Sequence, residues 1–257
     1  MELGLRGRKA IVTGGTKGLG RAIAEELLRE GAEVRICARH ADEVAAAVAE
    51  LGEGAGGRAA DVREAGELAG FVEWAAGDMS GLDILVNNAG GAHPGTFETL
   101  AEESLVADFS VKVLSWFRAV KAALPFLRES PAARVINIGS VFARMPDNTF
   151  LSTTVNRAAG QNLTKALAQE LAADGILVNA VNIGCVKTPQ WANIHAKRAP
   201  EKTADEFFAG MAAGEIPLGR FGEPEEVAGV VAFLASDRAG YITGAAIDVA
   251  GGMGRYA

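Results

Sequence analysis

The segment Thr13-Gly14-Gly15-Thr16-Lys17-Gly18-Leu19-Gly20 follows a short apolar run and leads into a stretch with helical periodicity. Glycines at positions 14, 18 and 20 permit a tight turn, a close approach of the backbone to a ligand, and close packing of the helix on the strand. The free N–H groups at the start of that helix suit a pyrophosphate. The unit therefore predicts a dinucleotide-binding turn, and the alternative is a strand–helix turn that binds nothing.

Short apolar runs alternate with amphipathic stretches along most of the chain, as buried parallel strands alternate with helices. The predicted strands are Ala10–Thr13, Val34–Ala38, Arg58–Val62, Leu82–Asn87, Arg134–Gly139, Leu177–Asn182 and Ala246–Val249. Such alternation implies right-handed crossovers and a sheet covered on both faces. We therefore expect an α/β fold: a single doubly wound, Rossmann-type domain over residues 1–257 with a seven-stranded parallel sheet.

Two segments depart from this alternation. Gly52–Gly57 is rich in glycine and is expected to be a surface loop. Residues 185–219 form an unusually long connection between a strand and a helix. Long loops in compact domains often cover or bind a ligand, so this segment is predicted to be a substrate loop. A surface insertion without a role is the alternative.

Composition excludes several classes of protein. The 257 residues carry a net charge of −7, which argues against a general nucleic-acid binder. No apolar run approaches the ~20 residues of a membrane span, and the start lacks a signal-peptide core. Cys37 and Cys185 form neither a disulfide framework nor a metal-binding spacing. We expect a cytoplasmic protein with a small-molecule substrate, and no metal site, nucleic acid or membrane partner.

Several motifs resemble those of the short-chain dehydrogenase/reductase family. The spacing Gly14-x-x-x-Gly18-x-Gly20 is similar to the family's glycine fingerprint, and Asn87-Asn88-Ala89-Gly90 is similar to its Asn-Asn-Ala-Gly motif. The tail Asp248–Gly252 resembles its last strand. The resemblance covers nearly the whole chain and implies a nicotinamide dinucleotide cofactor. It also implies a homotetramer or homodimer paired through helices at Val111–Leu127 and Leu151–Asp174.

The resemblance also implies which positions bind the cofactor. The glycine turn would hold the pyrophosphate, Asp61-Val62 would contact the adenine ring, and the segment near Thr188 would hold the nicotinamide end. The cofactor-binding residues implied in this way are Gly14, Thr16, Lys17, Gly18, Leu19, Gly20, Arg39, Asp61, Val62, Asn88, Ala89, Gly90, Arg157, Gly184, Val186 and Thr188.

The end of the second predicted strand bears on the choice of cofactor. NAD sites usually carry an acid there, which binds the ribose 2′-hydroxyl. In this chain the position is Ala38, followed by Arg39, and Lys17 lies in the glycine turn. Two cations without a carboxylate favour a 2′-phosphate, and hence NADP(H) over NAD(H). A solvated Arg39 with no ligand is the alternative.

The catalytic positions depart from the family pattern. The family uses a serine, a tyrosine, a lysine four residues later, and an asparagine on the preceding helix. Ser140 keeps the serine's place, but Thr153 stands at the tyrosine position, Arg157 at the lysine position and Lys112 at the asparagine position. The two tyrosines of the chain, at positions 241 and 256, lie near its C-terminus.

These replacements change the available chemistry. A threonine hydroxyl is a much weaker acid than a phenol, whose pKa is about 10, and a guanidinium does not relay protons. A lysine at position 112, near Arg157, should have a depressed pKa, which suits a general acid or an amine nucleophile. His93, in the loop after the Asn-Asn-Ala-Gly motif, is a second candidate. The alternatives are a Lys112 that faces solvent or pairs with a carboxylate, and a His93 in water.

Three functions remain open at this point. The first is an NADP(H)-dependent oxidoreductase acting on a carbonyl or alcohol, with Ser140 polarising the carbonyl and Lys112, His93 or a water supplying the proton. The second is a non-redox lyase or isomerase that uses Lys112 and Arg157 to stabilise an enolate. The third is a catalytically inactive nucleotide-binding protein, since fold alone does not determine function.

Overall fold

One parallel sheet runs through the protein. The computed structural model describes residues 2–91 and 93–254, and only the backbone of Lys197. Tyr256 lies outside the described residues. The strands are β1 (Lys9–Thr13), β2 (Glu33–Ala38), β3 (Ala55–Ala59), β4 (Ile84–Asn87), β5 (Arg134–Ser140), β6 (Leu177–Ile183) and β7 (Ala246–Val249). They pair in parallel in the order β3-β2-β1-β4-β5-β6-β7, which confirms the predicted seven-stranded sheet.

Helices cover both faces of this sheet. Their bounds are α1 (Gly18–Arg29), α2 (Ala41–Leu51), α3 (Ala65–Asp78), α4 (Glu102–Phe109), α5 (Ser115–Glu129), α6 (Leu151–Leu171), α7 (Pro189–Arg198), α8 (Ala204–Glu215) and α9 (Pro224–Ala235). Side chains alternate between the faces along each strand. Val12 of β1 packs in the layer formed by α1, α2 and α9, whereas Ile11 packs in the layer formed by α3, α5 and α6.

The third strand lies earlier than predicted. The sequence indicated Arg58–Val62, with Gly52–Gly57 as a surface loop, but β3 spans Ala55–Ala59 and includes Gly56 and Gly57. A Cβ at Gly57 would lie 2.7 Å from Val44 of α2, so glycine lets the helix pack closely on this strand. β3 is also an edge strand that pairs with β2 alone, which explains why it lacks an apolar run.

The segment 185–219 is not a loop. It contains α7 and α8, so the predicted irregular structure is wrong. Pro189 occupies the first turn of α7, where its missing N–H costs nothing. Thr203 and Glu206 form a capping box at the start of α8. Within the described part of the chain, no helix is long and apolar enough to cross a membrane.

Candidate active site

The glycine turn lies at the carboxyl edge of the sheet, between β1 and α1. Gly14 and Gly18 have φ values of 67° and 56°, which favour glycine. A Cβ at Gly20 would lie 2.1 Å from the carbonyl oxygen of Gly14. Asn88 stabilises the turn, because its Nδ2 donates hydrogen bonds to the carbonyl oxygens of Thr13 at 2.9 Å and Gly14 at 3.1 Å. The backbone at Gly20 therefore lies so close to that at Gly14 that only glycine fits at position 20.

The start of α1 suits an anionic ligand. Lys17, at the N-cap, makes no side-chain capping bond, and no acidic residue lies in the first turn. The helix thus offers free N–H groups and its positive end. Thr188 and Pro189, at the start of α7, lie over the turn, and a Cβ at Gly18 would be 3.1 Å from Pro189 Cδ. These features fit the pyrophosphate of a dinucleotide.

The glycine turn and the connections that follow β2 and β3 carry three cations: Lys17, Arg39 and Arg63. Arg39 follows β2 and is exposed. Lys17 Nζ lies 3.3 Å from Oε2 of Glu43, and both side chains are solvent-accessible. Arg63, which the sequence analysis missed, binds both carboxylate oxygens of Asp61: Nε donates to Oδ1 at 3.0 Å and Nη2 donates to Oδ2 at 2.5 Å. The hydrogen bonds from Arg63 lower the pKa of Asp61, so this carboxyl is an anion at neutral pH.

The other residues implied for cofactor binding line the same edge. Ala89 N and Asn88 N both donate to Thr13 Oγ1, at 3.1 and 3.0 Å, which fixes the loop after β4 beside the glycine turn. Val62 is buried within the apolar layer of α3 and α5. Gly184 follows β6 and Val186 is buried. A Cβ at Gly184 would lie within 3 Å of Ala250, so this turn is tightly packed.

Lys112 is buried in a short π-helical turn, Ser110–Leu114, between α4 and α5. Such turns often occur at functional sites. Nζ donates to Thr153 Oγ1 at 2.9 Å and to Asp108 Oδ2 at 2.8 Å. The solvent-facing alternative is therefore wrong: Lys112 pairs with a carboxylate, but one that is itself buried.

Asp108 is the functional candidate that the sequence analysis missed. Besides Lys112, it accepts hydrogen bonds from Ser152 Oγ at 2.7 Å and Asn156 Nδ2 at 3.2 Å. Burial alone would raise the pKa of Asp108, but the hydrogen bond from His93 and the charge of Lys112 hold it well below its usual range. The spacing of four residues from Lys112 was the only signal in the sequence. We call His93, Asp108, Lys112, Ser152, Thr153 and Asn156 the Asp108 cluster.

His93 forms the outer end of the Asp108 cluster. Its Nδ1 lies 2.7 Å from Oδ1 of Asp108, while half of the side chain is exposed. The backbone N–H of His93 donates to Thr153 Oγ1 at 3.4 Å. His93 is therefore not a loop histidine surrounded by water, because it bridges solvent and the buried carboxylate.

Arg157 lies against the inner side of the Asp108 cluster. Its Nη1 donates to the carbonyl of Ile138, and its guanidinium carbon lies 5.9 Å from the ring centre of Trp116. Burial lowers the pKa of Arg157 to about 10, so it remains charged at neutral pH. Burial, and then the charge of Arg157, lower the pKa of Lys112 to about 8, against the opposing effect of Asp108.

Ser140 stands slightly apart from these groups. It ends β5, and its hydroxyl accepts a bond from the backbone N–H of Phe142 at 3.3 Å. Among the described residues, the bonds that join Lys112, Thr153 and His93 do not extend to Ser140. No group of three or more His, Cys, Asp or Glu side chains in residues 2–91 and 93–254 is arranged to hold a metal ion.

Comparison with known proteins places this arrangement in a family. The family model described as enoyl-(acyl carrier protein) reductase matches residues 14–254, which covers the glycine turn, the Asp108 cluster and the last strand. The chain belongs to the short-chain dehydrogenase/reductase family. As a member of this family the chain is an NAD(P)H-dependent oxidoreductase, and its fold agrees with that of a solved sugar reductase at a TM-score of 0.95.

Three known proteins are similar to this chain over nearly its whole length. An uncharacterised oxidoreductase of Methylorubrum extorquens is 39% identical, over 97% of this chain and 98% of that protein. A short-chain oxidoreductase of Pseudomonas aeruginosa PAO1, described as containing an atypical catalytic center, is 35% identical with a TM-score of 0.93, covering 99% and 100% of the two chains. Its NADPH-bound structure has a TM-score of 0.90 and covers 96% and 97%. An L-sorbose reductase of Gluconobacter frateurii, solved with NADPH and L-sorbose, is 32% identical with a TM-score of 0.95 and full coverage of both chains.

Proposed function

We propose that this protein is an NADP(H)-dependent oxidoreductase that interconverts a carbonyl and an alcohol, with Lys112 as the source of the proton. The observation that carries this proposal is the buried ammonium of Lys112, which donates to Thr153 Oγ1 at 2.9 Å. A general acid works best when its pKa lies near the working pH, and that of Lys112 is lowered to about 8. Thr153 alone is too weak an acid to serve this purpose.

Each side chain then has a defined task. The nicotinamide, when bound, supplies a hydride to the carbonyl carbon. Ser140 polarises the carbonyl oxygen, which takes the hydroxyl proton of Thr153 as the C=O π bond breaks. Lys112 returns a proton to Thr153 and becomes a neutral amine. Arg157 stays charged and stabilises the developing negative charge on oxygen.

NADP(H) is favoured over NAD(H) by the charge at the end of β2. Ala38 offers no carboxylate to a 2′-hydroxyl, while Arg39 is exposed and available for a phosphate. Lys17 can leave Glu43, because an exposed ion pair is worth at most ~1 kcal/mol. Two of the similar proteins, from Pseudomonas aeruginosa and Gluconobacter frateurii, were solved with NADPH.

Helices α7 and α8 are proposed to cover the substrate. Their inner side is apolar and aromatic: Trp191 packs edge-on against Phe221 with ring centres 5.1 Å apart, and Phe208 lies 4.8 Å from the same ring. Met253 and Val141 belong to this apolar layer. We therefore expect a substrate that carries an apolar portion beside its carbonyl.

The test combines binding and turnover. Calorimetry should show that NADPH binds more tightly than NADH, and a panel of ketones and aldehydes should reveal oxidation of NADPH. Lys112→Met should abolish turnover and leave NADPH affinity within about twofold, because Lys112 does not lie at the glycine turn. Substrate breakdown without nicotinamide oxidation would instead support the lyase or isomerase, and NADPH binding without any turnover would support the inactive binding protein.

A homotetramer or homodimer is also proposed. Large apolar side chains are exposed along α4, α5 and α6, including Val106 (56%), Phe117 (46%) and Val155 (49%). Exposed apolar patches of this kind mark interaction surfaces. Light scattering during gel filtration should give two or four times the mass of 26.6 kDa, and Phe117→Glu should shift it to the monomer mass.

A further inference from the structure

Lys112 has no direct contact with solvent from which it could recover the proton that it gives up in the proposed reaction. Its side chain is fully buried, and each turnover converts its ammonium to a neutral amine. A second turnover therefore requires a proton to cross from water to Nζ. This inference rests on the proposed function, and it concerns the residues through which that proton passes.

The Asp108 cluster contains a series of short contacts that leads from Lys112 to the protein surface. Oδ1 of Asp108 lies 2.8 Å from Lys112 Nζ and 2.7 Å from His93 Nδ1. The same oxygen is therefore within hydrogen-bond distance of both nitrogens. His93 then reaches the surface, since half of its side chain is exposed, whereas Asp108 is fully buried.

The remaining neighbours of Asp108 hold the carboxylate in place. Ser152 Oγ and Asn156 Nδ2 both donate to Oδ2 from helix α6. Oδ1 consequently remains directed at His93 and Lys112. A carboxylate held by several donors keeps its orientation through the reaction, which is what a proton route requires.

We propose that His93 and Asp108 form the route by which protons from solvent return to Lys112. Neither side chain is placed against the substrate, so both are positioning residues that act through Lys112. His93 takes a proton from water on its exposed side and releases the proton of Nδ1 to Asp108 Oδ1. Asp108 passes that proton to the neutral amine of Lys112. The bonds made and broken are all to hydrogen, and the net uptake is the one proton that the reduction of a carbonyl consumes.

The charged groups around Lys112 come from three elements. Asp108 lies one turn earlier on the same helix, His93 comes from the loop after β4, and Arg157 comes from α6. Arg157 favours the neutral amine and does not exchange protons. Asp108 is therefore the only carboxylate that the described residues place against Nζ, and His93 is its link to solvent.

Rapid kinetics of His93→Gln tests this route. The variant enters the first turnover with Lys112 already protonated, so the first equivalent of NADPH should be oxidised at the rate of the unmodified protein, within about twofold. Later turnovers should slow by about 100-fold or more, since an acid–base group typically contributes about 10²–10⁴-fold. Added imidazole should restore the later phase alone. His40→Gln, which removes another exposed imidazole, is the matched control and should show none of these effects.

Two results would overturn the proposal. One is an unchanged rate in the later turnovers of His93→Gln; the other is an equal slowing of the first and later turnovers without rescue by imidazole, which indicates a structural role. If the unmodified protein oxidises no NADPH with any carbonyl, the proposed function fails. A second measurement then tests separately whether His93, Asp108 and Lys112 are coupled.

That second measurement needs no turnover. The chain has three histidines, so ¹⁵N labelling of histidine gives a simple spectrum. The Nδ1 resonance of His93 should change as Lys112 loses its proton near pH 8, and this change should disappear in Lys112→Met and in Asp108→Asn. A His93 resonance that is identical in these variants and in the unmodified protein would show that the three groups are not coupled.

Discussion

Replacing Asp108 with asparagine tests the role of Lys112 as proton donor. Asparagine keeps the shape of the side chain but removes a negative charge that lies 2.8 Å from Lys112 Nζ. Burial and Arg157 already lower the pKa of Lys112 to about 8, and Asp108 acts in the opposite direction. Without the carboxylate the pKa of Lys112 should fall further, by about 1–3 pH units, as is usual for the loss of a close opposite charge.

The size of the effect follows from the protonated fraction. A lysine with a pKa of about 8 is about 90% protonated at about pH 7. After a fall of about 1–3 pH units the fraction is between about 50% and about 1%. Because the ammonium is the active form, activity is present below the pKa of Lys112 and is lost as pH rises through it. At about pH 7, the rate of the first turnover of Asp108→Asn should therefore fall by about 2–100-fold, and at about pH 5 it should recover to within about twofold of the unmodified protein.

The assay is the rate of the first turnover after rapid mixing with saturating ketone and NADPH, followed by nicotinamide absorbance from about pH 5 to about pH 10. Later turnovers are left out because they also depend on the proton return proposed for Asp108. Glu103→Gln is the matched control, since it removes one exposed acid from the same helix and should leave the midpoint near pH 8. Circular dichroism verifies that Asp108→Asn is folded. A folded variant whose midpoint stays near pH 8, or moves upward, would refute the assignment of Lys112 as the acid.

Three other predictions follow from the cofactor end and the core. Gly20→Ala should lower the free energy of unfolding in urea by about 3 kcal/mol and abolish NADPH binding, because its Cβ would lie 2.1 Å from a carbonyl oxygen. The control is Gly229→Ala, at a helical site with no atom within 4 Å of the new Cβ. It should be neutral or stabilising by up to ~1 kcal/mol. Arg39→Ala should weaken NADPH binding in calorimetry by about 10–100-fold and leave NADH unchanged, and equal losses for both would count against a 2′-phosphate contact. Burial raises the pKa of Cys37 to about 12, so mass spectrometry should find it unmodified by iodoacetamide at about pH 8 until the chain is unfolded.

Local pattern was sufficient for most of the sheet. Strands such as β1 and β4 are buried on both faces, so their apolar runs are continuous and visible in the sequence. The position of β3 was predicted wrongly because β3 is an edge strand whose glycines are required by the packing of α2, and glycine by itself indicates a turn. Helices α7 and α8 were not predicted, because their stability comes from capping and from contacts between the two helices, such as that between His195 and Phe207, which form only in the folded chain.

The sequence by itself determined the glycine turn after the first strand, and through the family resemblance it predicted that Thr153, Arg157 and Lys112 occupy catalytic positions. Only the tertiary structure decided what these residues can do. Asp108 follows two exposed acids on α4, Glu102 and Glu103, and in the sequence only its spacing from Lys112 sets it apart from them. Packing against α6 nevertheless buries Asp108 and directs it at His93 and Lys112. The physical reason is that a side chain's ionisation depends on its burial and on its neighbours in space, and His93, Asp108 and Thr153 are brought together only when the chain folds.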